Sequence, residues 1–272
     1  MQPWHDKVVV VTGGSSGLGC AIAVAFAKAG AKVVIAARGS EALAKAVDSL
    51  RTEGLEVTGI SADVTQQESV DALFAETLRR FGRLDVLVNN AGRSMRSLAA
   101  DTTAEDFQEL IDLNLIGLVR CTRAALPQLL KSRGHLVNIS SLAGKVATRY
   151  MGAYPASKSA VTAYTQQLRL ELTPEGLHVL LVCPGPIARD GGPSAALQHA
   201  RPEDLAKMPE SARKPGAGVK SRAIRPEKLA AAIVRACERR QSELVVPGTA
   251  RLLMALMQLS PSLGDWIVRK VT

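Results

Sequence analysis

The chain has 272 residues and a formal net charge of +9. That length allows two domains, but alternating strand and helix patterns continue without a linker to about Val246, which predicts one domain over 1–272. No stretch reaches ~18 uninterrupted apolar residues, the length that a membrane-spanning helix needs, so no membrane span is expected.

The basic residues are scattered along the chain, which argues against nucleic-acid binding. The densest basic run extends from Arg213 to Arg225, and no aromatic residue stands between its cations for stacking on bases. A solvated loop is the simpler interpretation of this run. An acidic ligand is the alternative, which could be NADP, a coenzyme A thioester or an acidic carrier protein.

Seven short runs have the pattern of strands, and several are apolar at consecutive positions, as strands buried on both faces are. They are Val8–Thr12, Lys32–Ala36, Glu56–Ser61, Asp85–Val88, His135–Ile139, Val179–Cys183 and Leu244–Val246. Helical patterns separate them. This order predicts parallel pairing with right-handed crossovers, which is the α/β class with a doubly wound sheet.

The first strand runs into a glycine-rich turn, Thr12-Gly13-Gly14-Ser15-Ser16-Gly17-Leu18-Gly19, which an Ala-rich helical stretch follows. Glycines let the backbone turn sharply and approach a pyrophosphate. The start of a helix offers free N–H groups and the positive end of its dipole to that anion. A glycine-rich turn without a ligand is the alternative. The spacing of Gly13, Gly17 and Gly19 departs from G-x-G-x-x-G, so it does not match that dinucleotide-binding pattern.

The end of the second strand bears on the choice between NAD and NADP. An acid at this place accepts a hydrogen bond from the ribose 2′-hydroxyl of NAD, whereas an arginine attracts the 2′-phosphate of NADP. The strand ends in Ala36-Ala37-Arg38, without an acid. We expect Arg38 to bind the 2′-phosphate, with Ser15 as a helper; a merely solvated Arg38 is the alternative.

Tyr154 and Lys158 stand at the start of a helical pattern, and Ser141 lies thirteen residues before the tyrosine. Residues i and i+4 share one face of a helix, so the ammonium of Lys158 is expected near the phenol of Tyr154, whose pKa of about 10 it lowers toward neutrality. With the hydroxyl of Ser141, the two groups can form one proton-transfer unit. A lone Tyr-x-x-x-Lys pair is more often a solvated helix face.

These motifs and several others resemble the short-chain dehydrogenase/reductase superfamily, in the family's order, from about residue 5 to 190. The others are Ala62-Asp63-Val64-Thr65, Asn89-Asn90-Ala91-Gly92, Leu113-Asn114-Leu115, Asn138-Ile139-Ser140-Ser141 and Pro184-Gly185-Pro186-Ile187. The resemblance implies a Rossmann-like domain with a seven-stranded parallel sheet flanked by helices. Its cofactor-binding and catalytic core would occupy 5–187, and its last helix and strand 226–246.

The resemblance also implies NADP(H) as the cofactor. The residues implied to bind it are Gly13, Ser15, Ser16, Gly17, Leu18, Gly19, Arg38, Asp63, Val64, Asn90, Ala91, Gly92, Tyr154, Lys158, Pro184, Gly185 and Ile187. Asp63 would face the adenine amino group, although a loop cap is the alternative. Family members commonly carry a threonine two residues after the position of Ile187. This chain has Arg189 there, so only the Ile187 backbone is expected to meet the carboxamide.

The implied reaction interconverts a ketone or aldehyde and an alcohol. NADPH delivers hydride to the carbonyl carbon, while Tyr154 donates a proton to the oxygen that Ser141 hydrogen-bonds. Lys158 holds the ribose hydroxyls, and Asn114 supports a water that links Lys158 to solvent. An Asn114 that only hydrogen-bonds backbone is the alternative. No metal is expected to take part.

The substrate pocket is expected to be largely apolar, with a wall formed by Ser94, Met95, Leu142, Ala143, Tyr150 and Met151. Each of these residues could instead belong to the core. The pattern favours an uncharged, medium-sized hydrophobic ketone or aldehyde. The segment 188–225 lacks sustained periodicity and is rich in Pro, Gly and charge, which predicts a substrate lid or a partly disordered segment.

The tail 247–272 is rich in apolar side chains, which must be shielded from water. We expect it to pack on its own core or on a neighbouring subunit, with contact to a membrane surface as the alternative. Long helical patterns at about 103–131 and 155–172 correspond to helices that pair across subunits in this family, which predicts a homodimer or homotetramer. The first strand follows no signal-peptide pattern and the four cysteines show no paired spacing, so a cytoplasmic protein with reduced cysteines is expected.

Two further functions stay open at this point. A β-ketoacyl thioester reductase would suit the basic surface. The other is a function without catalysis, that of a protein that binds NADP as a sensor. Such a sensor should have lost at least one catalytic position, whereas Ser141, Tyr154 and Lys158 are all present.

Overall fold

A computed structural model describes residues 3–188, 197, 200–219 and 222–271. Its strands are β1 (Val8–Thr12), β2 (Lys32–Ala37), β3 (Val57–Ser61), β4 (Val86–Asn89), β5 (His135–Ile139), β6 (His178–Pro184) and β7 (Glu243–Val246). All seven join one parallel sheet in the order β3-β2-β1-β4-β5-β6-β7. The predicted α/β fold with a seven-stranded parallel sheet is therefore confirmed, and the predicted strands differ only at their ends.

Helices cover both faces of the sheet. They are α1 (Gly17–Lys28), α2 (Ser40–Thr52), α3 (Gln67–Phe81), α4 (Ala104–Ile111), α5 (Gly117–Lys131), α6 (Tyr154–Leu172), α7 (Pro202–Ala206), α8 (Pro226–Glu238), α9 (Ala250–Leu259) and α10 (Pro261–Val271). Val9 and Val11 belong to the apolar cluster that includes α1 and α8, whereas Val8 and Val10 belong to the cluster that includes α3 and α5. Successive side chains of a strand point to opposite faces of the sheet. Because helices cover both faces, all four consecutive valines of β1 are buried.

The strand order reverses its direction at β1. The chain proceeds from β1 to β2 and β3 on one side, and then crosses to β4 and continues to β7 on the other side. In open α/β sheets, the crevice outside the carboxyl ends of the strands at such a switch point is where ligands bind. The turns after β1 and β4 are therefore expected to border a ligand site.

The predicted helix at 103–131 is interrupted. A π-helical segment, Asp112–Ile116, stands between α4 and α5. The start of α5 lies close to the loop after β3, since a Cβ at Gly117 would lie 2.8 Å from Val64 Cγ2. Single π-helical turns often occur at functional sites, and this one contains Asn114.

The segment predicted as a lid is described only in part. Its described residues form α7 and two 3₁₀ turns, Glu210–Arg213 and Pro215–Gly218. Ile187 and Ile224 pair in an isolated parallel bridge, which brings the two ends of the segment together. The remainder of the predicted lid, 189–196, 198–199 and 220–221, lies outside the described residues.

The C-terminal tail forms two packed helices, α9 and α10, which we call the C-terminal helix pair. Ala250 and Met254 pack on a small core cluster that includes Leu181 and Val245. Other apolar side chains of the pair are exposed, so its own core covers only one side of it. Among the helices that the structure describes, none combines the length and the apolar character that crossing a membrane requires.

The four cysteines are free, as the lack of paired spacing predicts. Three of them are buried, whereas Cys20 is half-buried.

Candidate active site

A cavity of about 1610 Å³ lies at the carboxyl ends of the central strands. Its wall includes Gly13 after β1, Asn90 after β4, Ser141 after β5 and Gly185 after β6. Pockets for a drug-sized ligand are typically about 300–1,000 Å³. This cavity therefore has room for a large cofactor together with a second molecule.

The glycine turn forms one end of the cavity. A Cβ at Gly19 would overlap the carbonyl oxygen of Gly13 and would lie 2.5 Å from Asn90 Nδ2, so only glycine fits there. Ser16 precedes α1 without a side-chain capping bond, and the first turn of α1 contains no acid. The N–H groups at the start of this helix are therefore suited to an anion.

Thr12 and Asn90 join the ends of β1 and β4. Asn90 Nδ2 donates to the carbonyl oxygens of Thr12 at 2.9 Å and Gly13 at 3.2 Å. Thr12 Oγ1 accepts from the backbone N–H groups of Asn90 and Ala91, each at 3.0 Å. These bonds fix the shape of the glycine turn. The sequence interpretation included Asn90 but missed Thr12, whose only signal was its place at the start of the motif.

Arg38 and Asp63 lie close together beyond β2 and β3, but neither lines the cavity. Arg38 Nη1 is 3.9 Å from Asp63 Oδ2, and the side chain of Arg38 is 65% exposed. The other carboxylate oxygen of Asp63 accepts from the backbone N–H and the hydroxyl of Thr65, at 2.9 and 2.8 Å. Asp63 thus has the contacts of a loop cap, and the guanidinium of Arg38 stays open to solvent.

Ser141 and Tyr154 lie in the cavity wall on two different elements. Ser141 follows β5, and its Oγ accepts from Ala143 N at 3.1 Å, which orients the hydroxyl. Tyr154 is the first residue of α6, where Pro155 favours the start of a helix. The fold therefore brings the predicted hydroxyl and phenol to one cavity.

Lys158 is buried one turn further along α6 and also lines the cavity. Its Nζ donates to the carbonyl oxygen of Ile139, the last residue of β5, at 2.8 Å. Burial lowers the pKa of Lys158 from 10.5 to about 8. A bond to β5 therefore fixes the position of Lys158, which lies on the same face of α6 as Tyr154.

Asn114 fastens the loop after β4 to α6. Its Oδ1 accepts from Arg93 N at 2.9 Å, and its Nδ2 donates to Arg93 O and to Ser157 Oγ, both at 3.0 Å. A Cβ at Gly92 would lie 2.7 Å from Asn114 Oδ1 and 3.6 Å from Lys158 Nζ. The amide therefore connects the backbone of Arg93 to the side chain of Ser157.

Most of the residues predicted from the sequence meet in this cavity. Those that line it are Gly13, Ser15, Ser16, Gly17, Leu18, Gly19, Asn90, Ala91, Gly92, Ser94, Ser141, Leu142, Ala143, Met151, Tyr154, Lys158, Pro184, Gly185 and Ile187. The structure does not bring Arg38, Asp63, Val64, Met95, Asn114 and Tyr150 into the wall.

Met95 and Tyr150 lie behind the wall for different reasons. The sulfur of Met95 packs on the turn at Gly152, where a Cβ would lie 2.7 Å from it. The ring of Tyr150 lies under the guanidinium of Arg149, 4.9 Å from its centroid. Tyr150 packs on the small apolar cluster that contains Met151, which does line the cavity.

Arg96 is a cavity residue that the sequence interpretation missed. Although it is an arginine, it is only 3% exposed. Its Nε donates to Ala212 O at 3.0 Å, its Nη1 to Met95 O at 2.9 Å and its Nη2 to Lys214 O at 3.2 Å. Burial lowers the pKa of Arg96, and the negative charge that Tyr154 can carry opposes this effect. No local pattern predicts this role, because two of the bonded carbonyls lie 116 and 118 residues away.

The family model described as short chain dehydrogenase matches residues 7–196. This chain belongs to the short-chain dehydrogenase family. The predicted family is therefore confirmed, and the chain is an oxidoreductase. The L-fucose dehydrogenase of Bos taurus is 43% identical to it over 188 residues, which cover 68% of this chain and 67% of that protein.

Solved structures of the family share the fold over nearly the whole chain. A short-chain dehydrogenase/reductase from Burkholderia phymatum, in complex with NAD, is 28% identical with a TM-score of 0.82, covering 97% of this chain and 96% of that one. A variant of actinorhodin polyketide ketoreductase, with NADPH, is 31% identical with a TM-score of 0.75, covering 91% and 97%. These relatives bind nicotinamide cofactors of both kinds.

Proposed function

We propose that this short-chain dehydrogenase uses NADP(H) to interconvert a ketone or aldehyde and its alcohol, with Tyr154 as the proton donor. The observation that carries the proposal is the buried Lys158, which lies on the same helical face as Tyr154 in the wall of a cavity that also contains Ser141. A buried cation next to a phenol and a hydroxyl is suited to proton transfer.

The residues of the glycine turn fit a dinucleotide cofactor. The close approach at Gly19 leaves no room for a side chain, and the start of α1 offers N–H groups without an opposing acid. A pyrophosphate fits these two features. When bound, the nicotinamide supplies the hydride. The chain's own residues supply the proton, the orientation and the exclusion of water.

Proton transfer is assigned to Tyr154, and the neighbouring groups assist it. The phenol donates its proton to the carbonyl oxygen of the substrate as that oxygen becomes an alkoxide. Ser141 Oγ, which Ala143 N holds in place, donates a hydrogen bond to the same oxygen. The positive charge of Lys158 stabilises the phenolate that remains. Asn114 connects α6 to the loop after β4 through its bonds to Ser157 and Arg93. The proposal also assigns to Asn114 the support of a water that links Lys158 to solvent.

The preference for NADP(H) is based on Arg38. Its guanidinium stands just beyond the end of β2 and is largely exposed, with no acid closer than Asp63 at 3.9 Å among the described residues. A 2′-phosphate can displace that long contact and accept charge-assisted hydrogen bonds. The exposure of Arg38 supports this assignment because a buried, fully paired arginine would be unavailable.

The substrate is proposed to be an apolar carbonyl compound. The wall on the substrate side contains Leu142, Ala143 and Met151, and α9 adds Leu253 and Met254. A small polar substrate would leave these groups in contact with water. A second candidate is the oxidation of a sugar, favoured by the 43% identity to an L-fucose dehydrogenase. A third is a β-ketoacyl thioester, favoured by the likeness to a polyketide ketoreductase.

A substrate panel tests the proposal. Purified protein is assayed with NADPH against apolar ketones and aldehydes of increasing length and an acetoacetyl thioester, and with NADP⁺ against L-fucose. We expect kcat/KM to be highest for the apolar carbonyls and to rise with chain length. Dominant L-fucose oxidation would establish the second candidate. Cofactor binding without any turnover would establish an NADP-sensing protein instead.

A homo-oligomer is part of the proposal. Ile116, just before α5, and Leu170 on α6 are exposed, at 37% and 76%. These two large apolar side chains lie on the elements that the family resemblance assigns to subunit pairing. Light scattering should show a dimer or tetramer at micromolar concentration. A monomer at that concentration would contradict this.

A further inference from the structure

The C-terminal helix pair exposes an unusual share of apolar surface. Among the described residues, six large apolar side chains are exposed, and four of them lie in this pair: Leu252 at 68%, Leu259 at 84%, Leu263 at 43% and Trp266 at 58%. Single exposed leucines are common, but a group of this size usually marks an interaction surface. The pair makes up only the last part of the chain, so this concentration requires an explanation.

The exposed side chains form stripes rather than a scatter. Leu252 and Leu259 are seven residues apart on α9, and Leu263 and Trp266 are three apart on α10, so each couple shares one helical face. The opposite sides are occupied, since Met254 packs on the core and Val268 is buried. The stripes are therefore outer faces that the chain's own core does not cover.

Cations accompany these stripes. The pair carries Arg251, Arg269 and Lys270 but only one acid, Asp265. Lys270 Nζ lies 5.8 Å from the centroid of the Trp266 ring. Helices with leucine and tryptophan on one side and basic residues beside them are typical of the interface between water and anionic lipid. There, long basic side chains reach the headgroups while their stems stay on apolar surface.

We propose that the C-terminal helix pair docks on an anionic lipid surface, with Leu259 and Trp266 inserted and with Arg269 and Lys270 on the headgroups. A second copy of the chain fits this face less well. In a two-fold interface the same patch meets itself, so three cations of each copy would approach those of the other with only one acid, Asp265, in each copy to pair with them. An anionic membrane supplies the missing negative charge.

Docking would have a consequence for the cavity. The side of α9 that bears Leu253 and Met254 lines the same cavity as Tyr154. A docked helix pair therefore holds this cavity close to the lipid, from which an apolar carbonyl compound could pass into it. This consequence rests on the proposed function, whereas the docking itself does not. Vesicle binding measures the docking without any turnover.

Tryptophan fluorescence offers a direct test, because the chain has two tryptophans, and Trp4 is only 3% exposed. The full-length protein is titrated with vesicles of phosphatidylcholine alone and of phosphatidylcholine with phosphatidylserine. We expect a blue shift of the emission only with the anionic vesicles, and the protein should float with them. Trp266→Phe should abolish the shift while flotation persists. High salt should weaken the binding.

Two variants separate the apolar from the charged contribution. Leu259→Gln should lower the affinity for anionic vesicles by about tenfold or more, since burying one leucine contributes about 1.5–3 kcal/mol. Arg269→Gln with Lys270→Gln should lower it by about fivefold for each cation removed. The control for the charged contribution is Lys45→Gln on α2, an exposed cation outside the pair, which should bind as the wild type does.

Three results would overturn the proposal. The first is wild-type protein that stays unbound at high concentrations of anionic vesicles. The second is Leu259→Gln that binds as the wild type does. The third is a blue shift without vesicles that grows with protein concentration, is accompanied by larger particles in light scattering and is lost in Leu259→Gln. That third outcome would show that a second copy of the chain covers this face.

Discussion

The cofactor side and the substrate side of the cavity are built from different kinds of contact. On the cofactor side, the glycine turn is shaped by backbone geometry and by bonds from Asn90 to the neighbouring strand end. On the substrate side, Arg96 donates to two carbonyls more than a hundred residues away, one in the 3₁₀ turn Glu210–Arg213 and one on the residue after it. The first side consists of two short motifs that the parallel pairing of β1 with β4 brings together, and the second depends on contacts with a segment that belongs to no motif.

The largest effect is expected where the two sides meet, at Tyr154. Tyr154→Phe keeps the ring and its packing but removes the proton, so turnover should fall by about 10²–10⁴, while the affinity for NADPH stays within about twofold. Stopped-flow turnover and fluorescence titration of the cofactor measure the two quantities. A variant with a tenth of the wild-type rate would show that another group is the acid.

The next effect tests whether the cofactor side depends on backbone geometry. In Gly19→Ala the new methyl group would overlap the carbonyl oxygen of Gly13, so the turn must open. KM for the cofactor should rise by about a hundredfold, as expected for a steric cost of about 3 kcal/mol. Gly17→Ala is the matched control. Unlike Gly19, Gly17 has a positive φ, which costs an alanine about 1–2 kcal/mol, but a Cβ there meets nothing within 4 Å, so the rise should stay near tenfold.

The same contrast determines what the sequence could predict. The strands, the glycine turn and the pair Tyr154 and Lys158 were predictable because each is a short pattern in sequence. Ser141 follows a different element, and the family resemblance linked it to Tyr154. Arg96 was not predictable, because its bonded carbonyls at Ala212 and Lys214 belong to a segment without periodicity. The π-helical segment at Asn114 was also missed, since the apolar pattern of 103–131 continues through it. Met95 and Tyr150 show that adjacency to a motif does not tell which side chain faces the cavity.

A pH titration of stability tests the burial of Lys158. The folded protein holds its pKa near 8, below the ordinary 10.5. Between these values the unfolded chain binds a proton that the folded chain lacks, so the contribution of Lys158 to the free energy of unfolding rises with pH. Cofactor-free Lys158→Met lacks this titration. Its free energy of unfolding relative to wild type should therefore fall by up to about 3 kcal/mol as pH rises from 8 to 10.5.

Urea unfolding at several pH values measures this difference. A difference that stays constant across the range would mean that Lys158 titrates normally. Loss of the bond to Ile139 O lowers the stability of Lys158→Met by the same amount at every pH, so it does not alter the predicted slope.

Arg96→Met tests the substrate side. The change removes three charge-assisted hydrogen bonds, two of them to the turn at Glu210–Arg213 and its next residue. Amide hydrogen exchange should become faster at 210–214, and kcat/KM should fall by about tenfold or more, with cofactor affinity unchanged. Arg213→Met is the control, since its exposed guanidinium makes one bond, to Leu205 O. If the rate of amide hydrogen exchange at 210–214 were the same in Arg96→Met as in wild type, Arg96 would have no role in ordering this segment.

The smallest effect concerns Arg38, a contact predicted on the cofactor side that depends on a side chain rather than on backbone. A charge-assisted bond to a 2′-phosphate contributes about 1.5–3 kcal/mol, so wild type should prefer NADP(H) to NAD(H) by about tenfold in kcat/KM. Arg38→Gln should remove this preference, and Arg38→Asp should reverse it, because an acid repels the phosphate and accepts from the 2′-hydroxyl. Asp63→Asn is the matched test of the contact at 3.9 Å. If Asp63 competes with the phosphate for Arg38, the preference should rise in this variant; if Arg38 is only solvated, none of the three changes should alter the ratio.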